Sequence, residues 1–273
     1  MSNSERPPAQ PVGIDRSILA LAENPCVRVT SALAAATTAL VIGGLVWQPG
    51  HELLLSSYLP LHSFLEACSI FVAVLVFVVS RRSERGLLNR NMVLLGVACL
   101  AAGSLDFLHV LSYPGMPDLV KPSSPSNAID LPLAARVVAV SALLFAAFAS
   151  WEQTLPARRA HRWTAGAAVL VAAFSWLFLL RPHGVMDTLA SGRTLAIVRV
   201  MAELAIIAMS LVAAFGFFRL TRRPQTGRFD SVRFDPVALL AATVVMAMAE
   251  ALFALYTNVD GLFNVLGHVY KVL

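Results

Sequence analysis

Charge is what this sequence has least of. Only 14% of its 273 residues are Asp, Glu, Lys or Arg, where soluble domains carry about a quarter. Cysteine is scarce too: Cys26, Cys68 and Cys99 form no CxxC pair and no disulfide framework, so they say nothing about redox compartment. Cys68 and Cys99 fall in apolar blocks, where a free thiol behaves as a small hydrophobe. A continuous basic stripe is also missing. The net charge of +5 is spread over short clusters between apolar blocks, which excludes a nucleic-acid surface and fits topology signals. No cleavable signal peptide is evident, because the first apolar block is long and starts late. There is no internal repeat, and no matched pair of broken helices of the kind transporters use.

What remains is hydrophobic. Apolar residues make up 58% of the chain and the mean hydropathy is +0.72. They come in long blocks separated by arginine-rich or Pro/Gly-rich breaks, as a multi-span bundle requires. The chain therefore reads as an all-α integral membrane protein, a polytopic bundle of about eight transmembrane helices. The spans are expected near 29–47, 61–80, 91–112, 133–153, 164–180, 193–219, 236–257 and from 262 onward. Residues 1–28, polar and proline-containing, read as a cytoplasmic N-terminal tail; residues 29–273 form the membrane domain. The eighth block is too short to cross a bilayer alone, so the last helix is expected to be truncated and the chain cut from a longer protein.

Arginine fixes the orientation. With the N-terminus cytoplasmic, the inner segments collect Arg6, Arg16, Arg28, Arg81, Arg82, Arg85, Arg90, Arg158, Arg159, Arg162, Arg219, Arg222, Arg223, Arg228 and Arg233. The outer segments hold only Lys121, Arg181 and Arg193, in keeping with the positive-inside rule. Of the outer loops, Tyr113–Pro132 carries five prolines and is expected to be non-helical, folding over the bundle mouth. The loop Arg181–Gly192 contains His183, Met186 and Asp187.

Depth follows from distance to the end of each span, at about 1.5 Å per residue. His62 and Glu66 lie four apart at the start of span two, on one face. Asp106 and His109 lie three apart near the end of span three. Arg136 enters with span four, Arg199 and Glu203 with span six, and His268 and Lys271 with span eight; Glu250 and Tyr256 approach the outside in span seven. All fall in the outer half of their helices, whereas inner halves such as Phe71–Val79 are almost purely aliphatic. Ionisable groups at membrane depth are costly, and scattered structural ones have no reason to choose one leaflet. A single polar chamber near the outer surface is the expectation.

Each residue also has an ordinary role open to it. Arg136, Arg199 and Lys271 are best read as snorkelling or as closing ion pairs with Asp106, Glu203 or Glu250. Glu203 has a sufficient partner in Arg199 one turn earlier. His51, His161 and His183 lie in loops. The three histidines at matched depth, His62, His109 and His268, are harder to set aside: they offer imidazoles to a metal, with Glu66 and Asp106 as ligands or orienting groups. That set suits Zn²⁺ or Cu²⁺, and two facing histidines suit haem iron. A proton-sensitive or small-ligand site, with Arg136, Glu203 and Glu250 contributing, remains equally open.

The ordered set His62-Ser-Phe-Leu-Glu66, Leu105-Asp-Phe-Leu-His109, Tyr113-Pro-Gly-Met116, Ala135-Arg136 and Gly267-His-Val-Tyr-Lys271 resembles the MASE3 class of membrane-associated sensor domain. The similarity runs from about Pro60 to the C-terminus. It implies a multi-span input module of the bacterial inner membrane, followed by a covalently attached cytoplasmic histidine kinase, diguanylate cyclase or PAS-containing region. The resulting expectation is a non-enzymatic sensor that detects a ligand, a metal or haem, or a pH or redox cue in the outer half of the bundle. The last helix would carry the signal inward. An intramembrane metal-dependent hydrolase acting on a lipid-like substrate is the alternative from another class, with tri-histidine zinc activating water. A proton-coupled carrier ranks last, because the inner halves offer no polar relay. A homodimer is expected by analogy with other sensors, and small residues at Ala34–Ala36 and Ala101–Gly103 allow close helix contacts within or between chains.

Overall fold

The computed structural model describes residues 23–46, 58–82, 87–117, 127–180, 193–222, 235–255 and 261–273. The expectations for residues 1–22, for 118–126 of the outer proline-rich loop and for 181–192 lie outside the described residues, as do Tyr256 and Arg233. Eight helices are described: α1 (Pro25–Val46), α2 (Tyr58–Ser80), α3 (Arg90–Leu111), α4 (Asn127–Phe148), α5 (Ala157–Leu180), α6 (Arg193–Thr221), α7 (Pro236–Leu255) and α8 (Leu262–Val272). Two three-residue strands, β1 (Leu87–Asn89) and β2 (Thr154–Pro156), pair antiparallel. Six helices, α1 to α4, α6 and α7, are long and apolar enough to cross a membrane. α5 spends its first turns on Arg158, Arg159 and Arg162, and α8, with eleven residues, is too short to cross alone.

The helix starts follow local chemistry. Asn24 caps α1, its Oδ1 accepting from the Cys26 N–H at 2.9 Å, and Pro25 takes the first position, where its missing N–H costs nothing. α1 thus begins inside the segment expected to be tail. Asp235 and Pro236 repeat the arrangement at α7, with Asp235 Oδ1 accepting from the Val237 N–H at 2.8 Å. Asn89 caps α3 through Oδ1, which accepts from Asn91 and Met92, while its Nδ2 donates to the Trp151 carbonyl at 2.7 Å. That bond ties the start of α3 to the segment after α4.

Two expectations are corrected here. The fourth span ends at Phe148, not 153: Trp151 continues the apolar run outside the helix, packing on Ala146 and Ala147 with its Nε1–H donating to the Ala146 carbonyl at 2.9 Å. At its other end the helix starts at Asn127 and includes Pro132, so the stretch 127–132 is helical despite its proline. Pro132 sits near the helix start and forfeits one backbone bond there, and its carbonyl still accepts from Arg136 Nε at 3.2 Å.

α2, α3, α4, α6, α7 and α8 pack in that order into a closed ring, with α8 as the stave between α7 and α2. α1 lies outside against α7, and α5 outside against α3. Lipid tails are as apolar as the helix surfaces, so close approach through small residues holds such a ring together. A Cβ on Gly103 would lie 3.0 Å from Ala73 Cβ, on Gly216 2.8 Å from Ala147 Cβ, and on Gly267 2.5 Å from the Phe253 ring. Gly103 and Ala34 therefore serve contacts within the chain, Ala34 packing on the α7–α8 cluster.

The surface is inverted relative to a soluble protein. Phe71 is 62% exposed and Leu170 72%, whereas Glu66 and Glu203 are at 0% and 1%. Apolar side chains facing outward around buried carboxylates require a bilayer as solvent. The protein is a multi-pass membrane domain.

Candidate functional site

The carboxylates, the buried histidines and their basic partners come from six helices near the same end of the ring. His62 and Glu66 sit in the first turns of α2, Asp106 and His109 in the last turns of α3, and Arg136 in α4 before its midpoint. Arg199 and Glu203 lie early in α6, and Glu250 late in α7. The ribbon and Arg81, Arg82, Arg90, Arg158, Arg159, Arg162, Arg219 and Arg222 lie toward the opposite end. All eight residues expected from the sequence to bind a ligand share that non-ribbon end.

α2 shows how the placement arises. Its inward residues include His62, Glu66 and Ser69, spaced four and three apart, and its remaining surface is aliphatic and lipid-facing. This helix presents polarity to the protein and oil to the membrane.

The residues divide into two groups. The first joins α2, α3 and α8. Lys271 Nζ donates to Glu66 Oε1 and Oε2 at 3.0 and 2.8 Å and lies 2.8 Å from Asp106 Oδ2. One ammonium thus uses its three donors on two carboxylates. His268 Nδ1 lies 2.9 Å from Glu66 Oε1. His62 stands at the centre of a ring of rings. Its centroid is 4.7 Å from His268, 5.3 Å from His109, 4.2 Å from Tyr113 and 5.4 Å from Tyr58. His62 Nε2 and His109 Nε2 approach to 3.4 Å. Asn264 Nδ2 donates to the Tyr58 hydroxyl at 2.5 Å, fixing the outer wall of this box to α8.

The second group joins α4, α6 and α7. Arg136 Nη1 bonds Glu250 Oε2 at 2.8 Å, and Arg199 Nε bonds Glu203 Oε1 at 3.1 Å within one helix turn. Arg199 Nη2 also donates to the Phe253 carbonyl at 3.1 Å. Phe253 touches both groups: the Arg136 guanidinium lies 4.9 Å and the His268 centroid 5.1 Å from the centre of its ring.

Among the three histidines proposed from sequence as metal ligands, His62 and His268 meet with Glu66. One donor atom from each of these three lies within 4.8 Å of the others. His109 joins indirectly, through His62. A haem between His62 and His109 does not match this packing, since a macrocycle must pass between axial imidazoles that here touch. Tyr58, Tyr113 and Asn264 complete the site without having been singled out for it. Tyr58 was accessible, since it precedes His62 by the same four residues that separate His62 from Glu66.

The sequence profile of MASE3, described as a membrane-associated sensor domain, matches residues 53–273. No curated protein and no solved structure matches the chain.

Proposed function

The chain belongs to the MASE3 family of membrane-associated sensor domains, and from that premise we propose that the α2–α3–α8 cluster is where it detects its cue. In this reading the cue is bound among His62, Glu66, Asp106, His109 and His268, with the Arg136, Glu203 and Glu250 cluster as the fixed wall beside them. The arginine-rich ribbon end faces the cytoplasm of the bacterial inner membrane. The response leaves through α8 to a kinase or cyclase output domain attached beyond it. Membership in a sensor family favours this over the lipid-hydrolase alternative.

The observation that carries the proposal is the position of α8. It closes the ring, and its His268 and Lys271 take their partners on α2 and α3. Anything that changes the charge at Glu66 or Asp106 changes the anchorage of this helix. Packed interfaces respond to such changes by discrete shifts of about 1–2 Å.

Pulsed electron–electron distance measurements test this in nanodiscs. Nitroxides are placed at Leu87→Cys and Leu273→Cys, both exposed, in a background where Cys26, Cys68 and Cys99 are serine. Glu66→Gln is expected to move the interspin distance by about 1–2 Å or more, and Ser104→Ala to leave it unchanged. An unmoved distance in Glu66→Gln would sink the proposal.

A further inference from the structure

The α2–α3–α8 cluster is short of positive charge. Glu66 and Asp106 bring two carboxylates, while Lys271 is the one lysine or arginine among the described residues paired with either. Three buried polar atoms beside it, His62 Nδ1, His109 Nδ1 and Asp106 Oδ1, have no hydrogen-bond partner among the described residues. Buried donors and acceptors are normally satisfied, so three in one place mark unused binding capacity.

From this geometry we infer that His62, Glu66 and His268 form a site for a divalent transition-metal ion of the Zn²⁺ type, with Lys271 as its tethered competitor. Two imidazoles and a carboxylate are a borderline donor set that favours Zn²⁺ over Mg²⁺ or Ca²⁺, which prefer all-oxygen surroundings. Tetrahedral ligands on bonds of about 2.1 Å sit about 3.4 Å apart. The three donor atoms are already within 4.8 Å, so side-chain adjustment of about an ångström or so assembles the site without moving a helix. His109, touching His62 Nε2 to Nε2 at 3.4 Å, orients that ring in the way second-sphere partners of ligating histidines do.

Charge makes the competition with Lys271 direct. A divalent ion balances Glu66 and Asp106 one for one, which a single ammonium does not. The Lys271 ammonium holds both Glu66 oxygens, so metal binding to that carboxylate requires it to withdraw. Lysine has a flexible stem and can carry its charge toward the interface. Lys271 lies one residue from the end of α8, so metal uptake would release the last turn of that helix. This step rests on the proposed sensing role; the metal site itself stands or falls separately.

The test uses the full chain in lipid nanodiscs, stripped with chelator and titrated with Co²⁺ as a spectroscopic substitute for Zn²⁺. Zn²⁺ competition and elemental analysis give the stoichiometry. One ion per chain is expected. His62→Ala and His268→Ala should each weaken binding at least tenfold, and Lys271→Met should tighten it at least tenfold. Lys271→Gln, which keeps length and polarity, should act in the same direction, and melting by circular dichroism checks that each variant is folded. The site is overturned if neither wild type nor the folded Lys271 variants take up a stoichiometric ion. It is equally overturned if binding survives His62→Ala/His268→Ala, or weakens in both Lys271 variants. The label pair on Leu87→Cys and Leu273→Cys then separates the two ideas. A distance that responds to Glu66→Gln without any metal uptake leaves the sensor and removes the metal; metal uptake without movement does the reverse.

Discussion

The two polar clusters of this bundle lie at one end of the same ring, both in contact with Phe253, yet they solve the burial of charge differently. Around α4, α6 and α7 each carboxylate has an arginine of its own: Glu250 with Arg136, Glu203 with Arg199. Around α2, α3 and α8 two carboxylates divide one lysine, and three imidazoles stand close by. Arginine keeps its charge and offers a fixed planar fork, which suits a permanent pair. Lysine is a compact charge on a flexible stem, which suits a contact that is to be exchanged. The matched cluster therefore reads as scaffold and the mismatched one as the responsive part. Substitutions on the two sides should have opposite logic.

The largest effect is expected on the matched side. Arg136→Met strands the Glu250 carboxylate, 1% exposed, against an aliphatic neighbour. Removing one partner of a buried ion pair costs on the order of 3–5 kcal/mol, because the other charge keeps its desolvation penalty. Replacing both with apolar residues of similar size is often nearly neutral. Thermal unfolding in a mild detergent should therefore show a severe loss for Arg136→Met and recovery to within about 1 kcal/mol for Arg136→Met/Glu250→Leu. If the double variant is as damaged as the single one, the pair is not simply scaffold.

A smaller effect is expected at the Phe253 contact. A Cβ on Gly267 would come within 2.5 Å of the Phe253 ring, and a ring in contact with both Arg136 and His268 has little freedom to yield. Gly267→Ala should cost about 1–3 kcal/mol, the usual penalty of overpacking. Adding Phe253→Leu, which shortens the obstructing side chain, should return part of that loss. The same melting experiment reads both. Absence of any cost in Gly267→Ala would mean that α8 is not held tightly against α7, and the contrast between a rigid wall and a responsive stave would lose its basis.

How much of this was legible in the sequence differs between the levels of structure. The class of fold and the common end of the polar residues follow from two robust periodicities. Long apolar blocks alternate in direction, and pairs such as His62 and Glu66 share a helix face. Partnership across helices was not legible. Depth put His62, His109 and His268 on one level, but only the rotation of α3 and α8 decides that Glu66 rather than His109 completes the closest donor set with His62 and His268. Depth also could not reveal Phe253, an apolar residue whose importance lies in touching both clusters. Near the ribbon, Trp151 looks like the tail of a span because burial against the helices and burial in a bilayer select the same side chains. Pro132 misled because a proline inside a helix is costly and not forbidden: α4 carries it as its sixth residue at the loss of one backbone bond.

The smallest expected effect sharpens the comparison most. Asp106→Asn removes one of the two carboxylates that share Lys271 and leaves Glu66 paired with it. The substitution turns the mismatched cluster into a matched one, with one acid and one base, like its neighbour. Asparagine keeps the shape of aspartate and brings amide donors in place of a charge. Loss of one partner of a buried ion pair should ordinarily be severe, as with Arg136→Met. Here the expected change is within about 1 kcal/mol of wild type, in either direction, because the residual charge is better balanced than before. A loss as large as that of Arg136→Met would show that the shared lysine satisfies both acids equally. The two clusters would then differ in composition and not in how they carry their charge.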